Sequence, residues 1–91
     1  MNDQPVSRAE VEALVHATIR RIMPCEAAGE IPGHLHLKDL GADSVDRVEI
    51  ILALRDDLGV DEPMSVFSAV PSVDVLVDVL HEARQRREVR A

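Results

Sequence analysis

Apolar residues along this chain recur every three or four positions, the spacing of one face of an α-helix, and no stretch alternates in the manner of a strand. The first run is Val11, Leu14, Val15, Ile19 and Ile22. Ser7 and Glu10 stand before it at capping-box spacing, where each side chain satisfies an orphan amide of the helix start. Pro24 stops the run, so a first helix is predicted over 7–23. The second run, Val45, Val48, Ile51, Leu52 and Leu58, predicts a helix that opens at Asp43 or Ser44 with these residues as its apolar face. Gly59 is placed to close it. After Glu62-Pro63 the stretch MSVFSAV predicts a short third helix. Ser72 then caps a last helix carrying Val73, Leu76, Val77, Val79 and Leu80.

The connection over 24–43 holds Gly29, Pro32, Gly33 and Gly41. Connections of this length in small domains are packed or functional, and Leu35, Leu37 and Leu40 are spaced to pin it to the core. The expected architecture is all-α: a small antiparallel four-helix bundle, three main helices plus a short third one, with a long loop between the first and second. Its 91 residues are read as a single domain over 1–91, with a polar leader at 1–6 and a basic, frayed tail at 84–91.

Composition narrows the function. Apolar residues make up 46% of the chain, but Phe67 is its only Phe, Trp or Tyr, so the core rests on Val, Leu, Ile and Ala. A net charge of −7 argues against nucleic acid, whose phosphates demand a basic surface. It favours partners with basic patches. The single cysteine, Cys25, excludes an internal disulfide and fits a reducing compartment. No apolar run reaches the roughly 20 residues of a membrane span, and the N-terminus lacks the regions of a signal peptide. A cytoplasmic monomer that avoids membranes is expected.

The chemistry gathers at LGADSVDRVEI, residues 40–50. Ser44 has three readings: a helix cap, a nucleophile or an attachment point. Asp43 is an equally good cap and would leave the Ser44 hydroxyl unused at the first helical position. A nucleophile needs a base and an oxyanion site. The G-x-S-x-G elbow is absent, and no motif ties His16, His34, His36 or His81 to Ser44. A phosphate ester on Ser44 would sit where helix amides and dipole favour an anion. His34 and His36 lack further ligands at zinc spacing. Cys25 has no paired base.

The segment LGADSVDRVEIILALRDDLGVDEP resembles the core of the acyl carrier proteins of fatty acid and polyketide synthesis. Their hallmark is an Asp-Ser-Leu-like triplet after a Leu-Gly turn, with a glutamate five residues beyond the serine. Leu40, Gly41, Asp43, Ser44, Val45 and Glu49 match it, and the likeness in helix layout extends over about residues 7 to 83. The resemblance implies that Ser44, flanked by Asp43, carries 4′-phosphopantetheine, added from coenzyme A by a phosphopantetheinyl transferase. Acyl groups would ride on its thiol as thioesters, and the protein would catalyse no step itself.

The same resemblance implies that partners read the second helix. Eight acids and two bases lie between Asp39 and Glu62, and Asp46, Glu49, Asp56 and Asp57 are the expected recognition acids. Arg47 and Arg55 interrupt that acidic face, and MSVFSAV is apolar where fatty acid carriers are often acidic. In these features the chain is similar to freestanding donor carriers of polyketide β-branching cassettes, in which an acetyl donor feeds an HMG-CoA-synthase-like enzyme. An acyltransferase and a ketosynthase are the other expected partners, with Arg47 and an exposed Met64, Val66 or Phe67 as further contacts. Phe67 could equally be core. Val48, Ile51, Leu52, Phe67 and Leu76 either line an acyl pocket or fill the interior. The initial Met and plain tail favour a freestanding protein over a synthase module. A type II fatty acid carrier, an aminoacyl carrier and a helical adaptor without prosthetic group remain the alternatives.

Overall fold

The computed structural model describes residues 6–23, 31, 33–68 and 70–90, with the side chains of Met64, Ser68 and 87–90 left out of that description. Four α-helices follow in order: α1 (Arg8–Ile22), α2 (Ser44–Leu58), α3 (Met64–Ser68) and α4 (Val73–Arg90). A short 3₁₀ helix, Leu37–Leu40, interrupts the connection that the sequence leaves as loop. No strand occurs among the described residues. The structure is therefore the all-helical bundle that the periodicity predicts. Pro24, Cys25, Gly29 and Pro32 lie outside the described residues.

Each helix start is fixed locally. Ser7 Oγ accepts the Glu10 N–H at 3.1 Å, and the Glu10 carboxylate accepts the Ser7 N–H, which completes the capping box ahead of α1. The helix α4 begins where Ser72 Oγ accepts the Val75 N–H at 3.2 Å. Two further α4 amides are satisfied by the long connection: Val73 N–H donates to the Leu35 carbonyl and Asp74 N–H to that of Gly33. The loop is thus tied to the bundle by backbone bonds as well as by buried Leu37 and half-buried Leu40. Gly33 lies directly under the Asp74 carboxylate, where a Cβ would collide with it.

The core joins Val11, Val15 and Ile19 of α1, Ile50, Ile51, Leu54 and Leu58 of α2, Phe67 of α3, and Val73, Leu76, Val77, Leu80 and Ala83 of α4. In this arrangement α1 packs on α2 and α4, while α3 bridges α2 and α4. The face of α2 differs from the expected one. Val45, Val48 and Leu52 are 63%, 44% and 45% exposed, and Ile50 and Leu54 take the core positions. Apolar residues cover an arc of roughly 220° around α2 at 3.6 residues per turn. With so wide an arc, packing by α1 and α3 selects the buried part and leaves one edge in solvent.

The helix α4 continues to Arg90, into the stretch that the sequence leaves as a polar, basic tail. Arg84 Nη1 donates to the Leu58 carbonyl at the end of α2 at 2.7 Å, and Arg86 pairs with Glu62 at 3.0 Å. A guanidinium satisfying a C-terminal carbonyl suits the negative end of the α2 dipole. At the opposite end, Arg8 meets Asp78 across the bundle at 2.6 Å, and that hydrogen bond raises the guanidinium above its ordinary pKa.

Candidate functional site

The turn before α2 places Ser44. Gly41 has a φ of 99°, a left-handed conformation that a side chain would strain, and its N–H returns to the Leu37 and Lys38 carbonyls. Ala42 follows as a buried anchor, with its N–H on the Leu37 carbonyl at 3.1 Å. Asp43 is then the N-cap: its Oδ1 accepts the Asp46 N–H at 2.8 Å, and Asp46 Oδ2 accepts the Asp43 N–H at 3.4 Å. This reciprocal box removes the capping role from Ser44, which becomes the first helical residue. The Ser44 side chain is exposed, and its hydroxyl makes no hydrogen bond among the described residues.

Beside Ser44 opens a cavity of about 180 Å³, walled by α2, α3, the 3₁₀ helix and the segment leading into α4. Ser44, Arg47, Val48 and Ile51 reach it because positions three, four and seven apart share one helix face. Leu37, Phe67 and Val70 supply further apolar wall, and His36 and Ser72 two polar positions. Of the five residues expected to line a pocket or fill the interior, Val48, Ile51 and Phe67 line this cavity. Leu76 is fully buried in the core, and Leu52 faces solvent.

The charged candidates divide by geometry. Glu49, Asp56 and Asp57 are exposed on α2, whereas Asp46 is half-buried and engaged with Asp43. Arg47 is half-buried, with its Nε 3.4 Å from the Asp43 carbonyl. Phe67 requires a correction: it is 0% exposed and lines the cavity from within the core, so it cannot serve as a surface contact. It is the largest fully buried side chain among the described residues. The Met64 side chain lies outside the described structure. His34 is exposed, while His36 caps the 3₁₀ helix through Nδ1, which accepts the Lys38 N–H at 2.9 Å. Among the described residues no group of three or more potential metal ligands occurs, and no helix is long and apolar enough to cross a membrane.

The sequence places Val45, Val48 and Leu52 on the apolar face of the second helix but does not show that this row stays in solvent; Val66 of α3, offered by the sequence as an exposed contact, joins it at 39% exposure. An exposed apolar row beside exposed acids is unusual on a lone small domain and suits contact with other proteins.

An exposed, uncommitted hydroxyl at a helix N-terminus fits a phosphate ester. The amides and dipole there favour an anion, and the apolar cavity alongside fits an organic arm or its cargo. Comparison with known proteins agrees. The family described as "Phosphopantetheine attachment site" matches residues 13–80, a span that includes Ser44. The chain is 39% identical over 66 residues to the polyketide biosynthesis acyl-carrier-protein AcpK of Bacillus subtilis (strain 168), which covers 67% of this chain and 80% of that protein. It is 34% identical over 68 residues to the acyl carrier protein of Helicobacter pylori (strain G27), covering 75% and 87% respectively. It is also 27% identical over 75 residues to the mitochondrial acyl carrier protein 2 of Arabidopsis thaliana, covering 82% of this chain but only 60% of that one. No solved structure matches. The chain thus belongs to the acyl carrier protein family, and its cofactor is covalently attached 4′-phosphopantetheine.

Proposed function

We propose that Ser44 is the attachment residue and that residues 1–91 act as one carrier domain without a catalytic step of its own. The observation that carries this reading is the division of labour at the α2 start. Asp43 and Asp46 satisfy the helix amides reciprocally, which leaves the Ser44 hydroxyl exposed and unbonded for a transferase to use. The attached group supplies a long flexible arm whose terminal thiol holds acyl groups as thioesters. Asp43 keeps the helix start rigid, and Ser44 anchors the arm at the rim of the cavity. Phosphopantetheinyl transferase and biosynthetic enzymes are the partners of such a carrier.

Partners dock, in this reading, on the outer side of α2. The exposed Glu49, Asp56 and Asp57 steer association, and Val45, Leu52 and Val66 supply the dry contact. Exposed charges act chiefly on association rate and selectivity. The similarity to a polyketide-biosynthesis carrier supports a polyketide pathway. Within it we favour a donor carrier for β-branching, loaded by an acetyl or malonyl transferase and read by an HMG-CoA-synthase-like enzyme. Arg47 beside the attachment point and the exposed apolar Val66 support that choice. The protein would act as a cytoplasmic monomer.

Intact mass tests the attachment. Protein incubated with coenzyme A, magnesium and a broad-specificity phosphopantetheinyl transferase should gain one phosphopantetheine, and the Ser44→Ala protein none. Gain by the variant would move the site elsewhere. Acetyl transfer from the loaded protein to an HMG-CoA-synthase-like enzyme tests the donor role, and transfer only to fatty acid ketosynthases would refute it.

A further inference from the structure

The reciprocal box at the start of α2 uses the Asp46 amide and sets two carboxylates, Asp43 and Asp46, in the turn that carries Ser44. A phosphodiester on Ser44 adds a third negative charge to that turn. Like charges so close repel unless a cation stands among them. Arg47 is the one base in the stretch 43–50. It follows Ser44 by three residues, a spacing at which helix neighbours have Cβ atoms roughly 5–6 Å apart. Its half-buried side chain lines the same cavity as Ser44. Arg47 Nε donates to the Asp43 carbonyl at 3.4 Å, so the guanidinium folds back toward the helix start. Its terminal nitrogens make no hydrogen bond or ion pair among the described residues. The edge of a guanidinium matches two oxygens that share one charge, and a phosphodiester presents such a pair in its non-bridging oxygens.

We infer that Arg47 is the positioning residue of the prosthetic group: its terminal nitrogens clamp the non-bridging oxygens of the phosphodiester. The clamp offsets the Asp43 and Asp46 carboxylates and holds the base of the arm on the side of α2 that Ser44, Arg47 and Val48 share. The inference rests on Ser44 as the attachment residue. Arg55, the other base of α2, is equally half-buried but cannot take the role. Eleven residues beyond Ser44, it stands about 16 Å along the helix axis, past the ~10 Å screening length of 0.1 M salt. It lines a separate groove with Asp56 and Asp61.

The test compares the full chain before and after loading with phosphopantetheine, as wild type, Arg47→Gln and Arg55→Gln. Intact mass and peptide mapping first locate the group. A wild type that takes no load, or takes it away from Ser44, refutes the attachment reading, and the clamp falls with it. On protein loaded at Ser44, the readout is the melting temperature gained on loading. That gain should be about 2–4 °C greater in the wild type than in Arg47→Gln, the worth of a partly exposed charge pair in a domain of this size. Arg55→Gln removes the same charge and should gain as much as the wild type. The excess should shrink in 1 M salt, where the screening length falls to about 3 Å. An Arg47 that only braces the helix would lower both forms equally, and an unchanged gain in Arg47→Gln overturns the clamp while leaving attachment intact. Equal losses in the two variants would assign the effect to net charge and also overturn it. The wild type decides alone if a transferase rejects Arg47→Gln. Loading should displace the Arg47 guanidinium N–H resonances and slow their exchange with water, with those of Arg55 unmoved. Arg47 resonances that loading leaves unchanged overturn the clamp.

Discussion

Replacing Asp43 and Ser44 separately by alanine distinguishes a cap from an attachment point. Asp43 accepts the Asp46 N–H at 2.8 Å and places a negative charge on the positive end of the α2 dipole. Loss of an N-cap side chain costs about 1 kcal/mol, and loss of the dipole interaction adds about 0.3–1 kcal/mol. Removing one of two neighbouring carboxylates gives a little back, so Asp43→Ala should destabilise the unmodified protein by about 1–2 kcal/mol. Unfolding entropy scales with chain length, so for the 91 residues this corresponds to a melting temperature about 5–10 °C lower. Ser44 is exposed and its hydroxyl bonds to nothing described, so Ser44→Ala should stay within about 0.5 kcal/mol of the wild type. Urea unfolding followed by circular dichroism at 25 °C measures both. Equal losses would show that the Ser44 hydroxyl is structural, and a neutral Asp43→Ala would remove the cap from the argument.

Three further outcomes follow from the packing and the surface. Phe67→Ala should cost about 3–5 kcal/mol, because removal of a fully buried ring leaves a void. Chemical denaturation that shows less than about 1 kcal/mol would mean the site collapses freely. Leu52→Ser should leave stability within about 0.5 kcal/mol, since the side chain is 45% exposed, but should raise the KM of a partner transferase for the carrier. An unchanged KM would take Leu52 out of the docking surface. Gly33→Ala should lower the melting temperature by forcing aside the Asp74 carboxylate, and adding Asp74→Ala should restore part of the loss. Additive losses in that double variant would place the strain elsewhere.

The fold was largely legible because its signals are local. The Ser7/Glu10 box, the Gly59 stop and the Ser72 cap depend on residues three or four apart, and the structure places each within a residue or two of the predicted boundary. Where one boundary had two candidates, at Asp43 and Ser44, the sequence supplied both and the structure assigned the cap to Asp43. The 3₁₀ helix Leu37–Leu40 was not legible, since His36 is an uncommon cap and four residues give no periodicity. The length of α4 was not legible, because basic residues at a helix end resemble a solvated tail. The carbonyl of Leu58 and the carboxylate of Glu62, which hold Arg84 and Arg86, lie more than twenty positions away.

What the sequence alone determined is helix content, order and the chemistry of the Asp43-Ser44 turn, because each follows from neighbours along the chain. Which side of α2 faces inward belongs to the tertiary structure. Its apolar arc is wide enough to satisfy either orientation, and only the surfaces of α1 and α3 chose Ile50 and Leu54 over Val45 and Leu52. The same packing turned Phe67 from a possible contact into a wall. It brought His36, Ser44 and Ser72, distant in sequence, to one cavity, and such convergence is a property of space that no spacing along the chain encodes.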